Sequence, residues 1–199
     1  MTKTLLFIGD SITECGRFED PEHIGNGYVK FLHDEIKSQK PDWTVLNRGV
    51  SGDKVWDLEK RWEEDVLAHD PDVLSVSIGV NDVWHQLDHP KDQQVTPDEF
   101  EQVYRKLLSQ LSPSTMLVLM EPTIIEEDPL SKGNQELSVY AEIVRLLAEE
   151  HRAFYVPTYA AFMEALAKGN HAPLTTDGVH MTDAGNRLMA AVWKANVNL

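Results

Sequence analysis

Five short apolar runs, each closed by glycine, proline or a polar turn, restrict this chain to a small set of architectures. They are Leu5 to Ile8, Thr44 to Asn47, Val73 to Ile78, Met116 to Met120 and Ala153 to Val156. Each is of strand length, and the stretches between them carry a helical period, which is the pattern of βαβ units feeding a parallel sheet. Their mostly apolar character suits strands covered on both faces. Helices are expected over Tyr28 to Ile36, Val55 to Leu67, Phe100 to Leu111 and Leu137 to Ala148, followed by a short one over Tyr159 to Ala167 and a last one over Thr182 to Lys194. In the third, Phe100, Val103, Tyr104, Leu107, Leu108 and Leu111 make one apolar stripe, and Thr96-Pro97-Asp98-Glu99 supplies a helix start. No repeat, low-complexity tract or Pro/Gly-rich linker divides the 199 residues, so one domain is expected over 1–199. Two polar stretches, 83–95 and 122–134, are longer than ordinary connections. Both follow strand ends and are expected as loops at the rim of one crevice.

In an open parallel sheet that crevice lies beyond the carboxyl ends of the strands. The first run stops at Gly9-Asp10-Ser11-Ile12, which delivers a serine there. Asp and Ser after a strand are also good helix caps, so Ser11 is singled out only by its company. A serine hydroxyl needs a base to take its proton, and an imidazole base needs an acceptor that sets its tautomer. Asp177-Gly178-Val179-His180 places a carboxylate three residues before a histidine, just ahead of the last helix. With eight histidines in the chain a rival exists: Asp82-Val83-Trp84-His85 has the same spacing.

Attack on a carbonyl builds negative charge on its oxygen, and several donors must converge on it. Three candidates follow three strands: the Ser11 N–H, the N–H of Gly52 in Asn47-Arg48-Gly49-Val50-Ser51-Gly52, and the carboxamide of Asn81 in Gly79-Val80-Asn81-Asp82. Each alone reads equally as a turn or a cap. Trp84 stands close to Asn81, where it would stack on a substrate ring or line a pocket, or simply pack in the core. Trp62 lies on the Leu58, Trp62, Val66 stripe and is expected in the core. Asp88, His89 and Asp92 are read as a solvated loop rather than a metal site.

Taken together, Gly-Asp-Ser-Ile, Gly52 in Asn-x-Gly-x-Ser-Gly, Gly79-x-Asn81-Asp82 and Asp177-x-x-His180 resemble, in order and spacing, the four blocks of the SGNH or GDSL hydrolase superfamily. The resemblance implies Ser11 as nucleophile, His180 as base, Asp177 as its orienting carboxylate, and Ser11, Gly52 and Asn81 as oxyanion donors. It also implies a flavodoxin-like three-layer α/β/α sandwich on a five-stranded parallel sheet, with no cofactor and no metal. A narrower similarity runs through Gly9-Asp-Ser-Ile-Thr-x-Cys15-Gly16-Arg17, Gly27-Tyr28-Val29, Arg61-Trp62-Glu63-Glu64-Asp65-Val66 and Asn81-Asp82-Val83-Trp84. These resemble the branch with acetyl-xylooligosaccharide esterases and carbohydrate deacetylases.

The expected activity is therefore hydrolysis of short acyl esters, acetyl first, on a sugar or similar polar alcohol. A thioesterase or lysophospholipase would use the same site. A flavodoxin-like binding or receiver module, with Asp10 and Asp82 holding a cation or accepting phosphate, is the alternative outside enzymes. Charge narrows the partners. A formal net charge of −15 without a Lys/Arg cluster repels nucleic acid and anionic membrane alike, leaving a small-molecule ester. A homo-oligomer stays open. The N-terminal apolar run is too short for a signal-peptide core, and Cys15 is the single cysteine, so a cytoplasmic location is expected.

Overall fold

A computed structural model describes residues 2–169 and 171–199. The chain runs β1 (Thr4–Gly9), α1 (Ser11–Glu14), α2 (Tyr28–Gln39), β2 (Thr44–Gly49), α3 (Val55–Asp65), β3 (Val73–Ser77) and α4 (Val80–Asp88). It continues through α5 (Pro97–Leu108), β4 (Met116–Met120), α6 (Lys132–His151), β5 (Phe154–Val156), α7 (Thr158–Lys168) and α8 (Asp183–Asn196). The five strands pair in parallel in the order β2-β1-β3-β4-β5. This is the flavodoxin-like winding expected from the sequence, and its strand order reverses between β1 and β3, where such sheets bind ligands.

The central strands form where the apolar runs are because both of their faces are covered. Leu5, Leu6, Phe7 and Ile8 of β1, and Leu74 and Val76 of β3, are fully buried. One layer holds α2 packed on α8 and α8 on α7; the other holds α3 on α5 and α5 on α6. Phe7 links sheet and first layer through Tyr28 and Trp193, with ring centroids 5.9 and 5.8 Å away. In α5 the expected stripe is buried at Phe100, Tyr104, Leu107 and Leu108. A capping box starts it: Glu99 N–H donates to Thr96 Oγ1, and Thr96 N–H to Glu99 Oε2. Such a cap stabilises by about 1 kcal/mol. Trp62 is buried in the core, as its stripe implied.

Two expectations are corrected. The stretch 83–95 is not loop throughout, because α4 runs to Asp88. Val80 and Val83 are buried in the core and Trp84 and Leu87 pack against it, so a helical face exists, hidden in sequence by the polar residues interleaved with it. The 122–134 connection is shorter than expected, since Ser131 caps α6, accepting from Asn134 N–H. Ile124 and Ile125 turn into the core. Among the described residues no helix is long and apolar enough to cross a membrane.

Candidate active site

The carboxyl ends of β1, β2 and β3 lead to the three expected donors, and the turn before α8 reaches them from the other end of the chain. At the end of β1, Asp10 and Ser11 divide the cap and site roles between them. Asp10 is the N-cap of α1 and accepts the Ile12 N–H at 2.9 Å. Ser11, the first helical residue, is half-buried, and its hydroxyl lies 3.0 Å from His180 Nε2, although 169 positions separate the two in sequence. His180 Nδ1 is 2.7 Å from Asp177 Oδ2, while Asp177 Oδ1 accepts the N–H groups of Val179 and His180 at 3.0 and 2.8 Å. Burial works against ionising Asp177, but the imidazole and these two amides outweigh it and bring the carboxyl down to about 2. An ionised Asp177 therefore fixes a proton on Nδ1 and leaves Nε2 as the acceptor facing Ser11.

His85 is not the partner of Ser11. Its Nε2 lies 3.6 Å from Asp92 and its ring stacks on His89 at 5.0 Å, toward solvent. Asp82, the carboxylate of that rival pair, is buried instead and accepts the Val55 N–H at 3.0 Å. Asp10 and Asp82 are both pushed up to about 7, chiefly by burial and against the pull of the Ile12 and Val55 amides respectively. Carboxyls so enclosed are not open to a phosphate or a hydrated cation, which removes the basis of the binding-module reading. Among the described residues no group of three or more His, Cys, Asp or Glu side chains is arranged to hold a metal, Asp88, His89 and Asp92 included.

Gly52 and Asn81 converge on the same end of the sheet. Gly52 has φ +83°, a left-handed conformation that glycine adopts freely, and a Cβ there would meet nothing within 4 Å, so its face is open. Asn81 is buried, and its Nδ2 spends one proton on Asp53 O at 3.1 Å, leaving the second for a ligand. The Gly52 N–H and the Ser11 N–H have no protein acceptor among the described residues. Donors free at the end of the sheet that carries Ser11, whose hydroxyl is already engaged by a base, are the kind of group that stabilises an oxyanion formed by attack on a carbonyl.

The loop that carries Gly52 is held by residues the motif spacing did not mark. Asn81 and Asp82 bind its continuation at Asp53 O and Val55 N–H. Arg61 ties it from below, donating to Asp53 Oδ2 (2.7 Å), Arg48 O (2.7 Å) and Gly9 O (3.0 Å). Arg61 belongs to a stretch quoted above for the narrower resemblance, the one signal in sequence that pointed to it. Trp84 is half-buried and sets its ring edge-on to His180, with centroids 6.2 Å apart. A cavity of about 170 Å³ opens beside it, bounded by Gly52, Lys54, Asn81, His85 and His89. Trp84 thus both packs against the core and lines this cavity. The 122–134 stretch meets the site differently from the rim expected: it supports the Asp177–His180 turn from behind, with Glu126 N–H on Gly178 O at 2.7 Å.

Comparison with known proteins agrees with this architecture. Residues 7–188 match the GDSL-like Lipase/Acylhydrolase family. The chain is 40% identical over 197 residues to an acetylxylan esterase of Geobacillus stearothermophilus, covering 94% of this chain and 90% of that protein. The crystal structure of Axe2, an acetylxylan esterase from the same organism, superposes with a TM-score of 0.90 at 36% identity, over 99% of this chain and 94% of its own. LAE5, an alpha/beta hydrolase enzyme from the metagenome of Lake Arreo, Spain, superposes with a TM-score of 0.90 at 32% identity, over 98% and 94%. A family match over most of the length, on a sheet wound the same way as these hydrolases, establishes that the chain belongs to the GDSL-like lipase/acylhydrolase family.

Proposed function

We propose that this chain is a serine esterase that removes acetyl groups from a saccharide through an acyl-enzyme, and that the whole of 1–199 acts as one catalytic domain. The observation that carries the reading is the unbroken chain of hydrogen bonds from Asp177 through His180 to Ser11. As Ser11 Oγ attacks the ester carbonyl, its proton passes to His180 Nε2, and the oxyanion takes hydrogen bonds from the Ser11 and Gly52 amides and from Asn81. The imidazolium, stabilised by Asp177, then gives that proton to the departing sugar oxygen as the carbonyl re-forms. A water, deprotonated by His180, attacks the acetyl-serine; as the proton returns to Ser11 Oγ, acetic acid leaves and ionises to acetate in solution.

Kinship with an acetylxylan esterase supports acetylated xylo-oligosaccharides as the substrate class. The cavity beside Trp84 suits a sugar ring: the Trp84 indole lines it together with Lys54, Asp88 and His89, polar groups that can meet hydroxyls. A long acyl chain would need continuous apolar surface, where each buried methylene adds up to about 0.8 kcal/mol. The free thiol of Cys15 suits a reducing, cytoplasmic place of work, which fractionation of the native host would test. The enzymatic test is kcat/KM on acetylated xylobiose and on acetyl, butyryl and octanoyl esters of one phenol. Activity concentrated on acetyl groups is expected. A rise from acetyl to octanoyl would reject the deacetylase reading in favour of a lysophospholipase or thioesterase.

A further inference from the structure

We propose that Glu127 is a positioning residue for the reaction, acting through the base of the Asp177–His180 turn so that the imidazole stays within reach of Ser11. This rests on the serine-esterase reading above. Three donors converge on one carboxylate oxygen: Leu174 N–H at 2.7 Å, Thr175 N–H at 2.6 Å and Thr175 Oγ1 at 2.9 Å all reach Glu127 Oε1. Burial opposes ionisation of this side chain, but the Thr175 and Leu174 donors prevail and hold the carboxyl below its usual range. A charged acceptor for paired backbone amides is worth roughly twice a neutral one.

The turn it grips is also held by Leu174 and Val179, which are buried in the core, and by Glu126 N–H on Gly178 O. Residues 174–182 fold back on themselves through Thr176 N–H to His180 O, Thr182 N–H to Leu174 O and a bridge between Thr175 and Met181. Those contacts fix the shape of the turn, not its distance from the sheet. Asp177 and His180 are half-exposed at its tip, where burial does not confine their own side chains.

Glu127, by contrast, stands on a rigid base. Ser131 Oγ donates to Ile125 O, and the fully buried Asn134 accepts the Ile125 N–H while donating to Glu126 O and Asp128 O. The start of α6 is thereby connected to the catalytic turn through the Glu127 side chain and the Glu126 amide. A displacement of about 1 Å at a reacting group can cost a hundredfold in rate, so a carboxylate that sets this distance acts on kcat.

The test compares Glu127→Ala, Glu127→Gln and Glu127→Asp for kcat and KM on an acetyl ester, with amide hydrogen exchange at Leu174 and Thr175 measured without substrate. Glu127→Ala should lower kcat by about tenfold or more with KM within about twofold, and should speed exchange at both amides. Glu127→Gln keeps an acceptor oxygen at the same reach and should restore kcat to within about threefold of the unsubstituted chain. Should the alanine variant fail to fold, Glu127→Asp, one methylene shorter, should show the same kcat loss. Full kcat in the alanine or aspartate variant overturns the proposal, as does a loss in Glu127→Gln equal to that in Glu127→Ala. If the unsubstituted chain hydrolyses no ester, the esterase reading fails instead, while the exchange data still report whether Glu127 holds the turn.

Discussion

Adding a single methyl group at Gly49 should disable the site without touching any residue of it. Gly49 ends β2 and lies directly against α1: a Cβ there would sit 2.1 Å from Glu14 N and 2.6 Å from Glu14 Cα and Thr13 C. All three are backbone atoms, so no side-chain rotation relieves the clash. Ordinary contact begins near 3.4 Å, and the shortfall of about 1.3 Å must be met by moving α1 away from β2. α1 is only four residues long and starts at Ser11, so the hydroxyl moves with it. The 3.0 Å contact with His180 then stretches beyond hydrogen-bond range.

Overpacking of this kind costs about 1–3 kcal/mol, which in a domain of this size lowers Tm by roughly 2–12 °C. The larger consequence is kinetic, a fall in kcat on the order of a hundredfold for an ångström of misplacement. Thermal unfolding together with kcat and KM on an acetyl ester of a chromogenic phenol measures both. Gly169→Ala is the control: at φ +65° with open space around it, at the C-terminal cap of α7, it should lose stability through backbone strain and keep its kcat. A folded Gly49→Ala protein with kcat within twofold of the unsubstituted chain, or one losing only KM, would refute the argument that Gly49 sets the height of Ser11.

Ser11→Ala should abolish hydrolysis while the fold persists, and a serine-directed phosphonate should label Ser11 alone; label on Cys15, whose thiol burial pushes up, would contradict this. Asn81→Ala should lower kcat on the order of a hundredfold, about 3 kcal/mol, with little change in KM, and a variant altered only in KM would remove Asn81 from the oxyanion site. Asp82 should make the protein less stable as pH rises from about 4 to about 7. Burial above all raises its folded value to about 7 from 3.8, so across that window the folded chain keeps a proton that the unfolded chain has released. Stability then falls by up to about 1.4 kcal/mol per pH unit for such a group, and Asp10 adds a term of the same sign. Asp82→Asn should flatten the decline in Tm over this range, and an unchanged slope would show that Asp82 is ionised in the folded state.

The sheet was legible in the sequence because strand formation here depends on local apolar content. Leu5 to Ile8 and Met116 to Met120 announce strands whatever lies far along the chain, and the helix start at Thr96 to Glu99 announces α5 in the same local way. The candidate site was legible for another reason. A nucleophile, a base and oxyanion donors each require a particular residue type, so Ser11, Gly52, Asn81, Asp177 and His180 stand out as candidates by type, order and spacing, and the structure brings Asp177 and His180 to Ser11. α4 escaped because its polar residues interrupt the apolar period; only burial of Val80 and Val83 in the core shows that it has an inner face.

What the tertiary structure alone decided is which groups hold that chemistry in place. Between two Asp-x-x-His pairs of equal spacing, the winding of the sheet brings one to Ser11 and buries the carboxylate of the other under Val55. Arg61, Asp82 and Glu127 work through backbone N–H and C=O groups of distant segments, at Gly9, Arg48, Val55, Leu174 and Thr175. Every residue offers those same carbonyls, and all but proline the same amides, so no pattern in the sequence marks the partner. Such a contact is defined only once the chain has brought the two segments together.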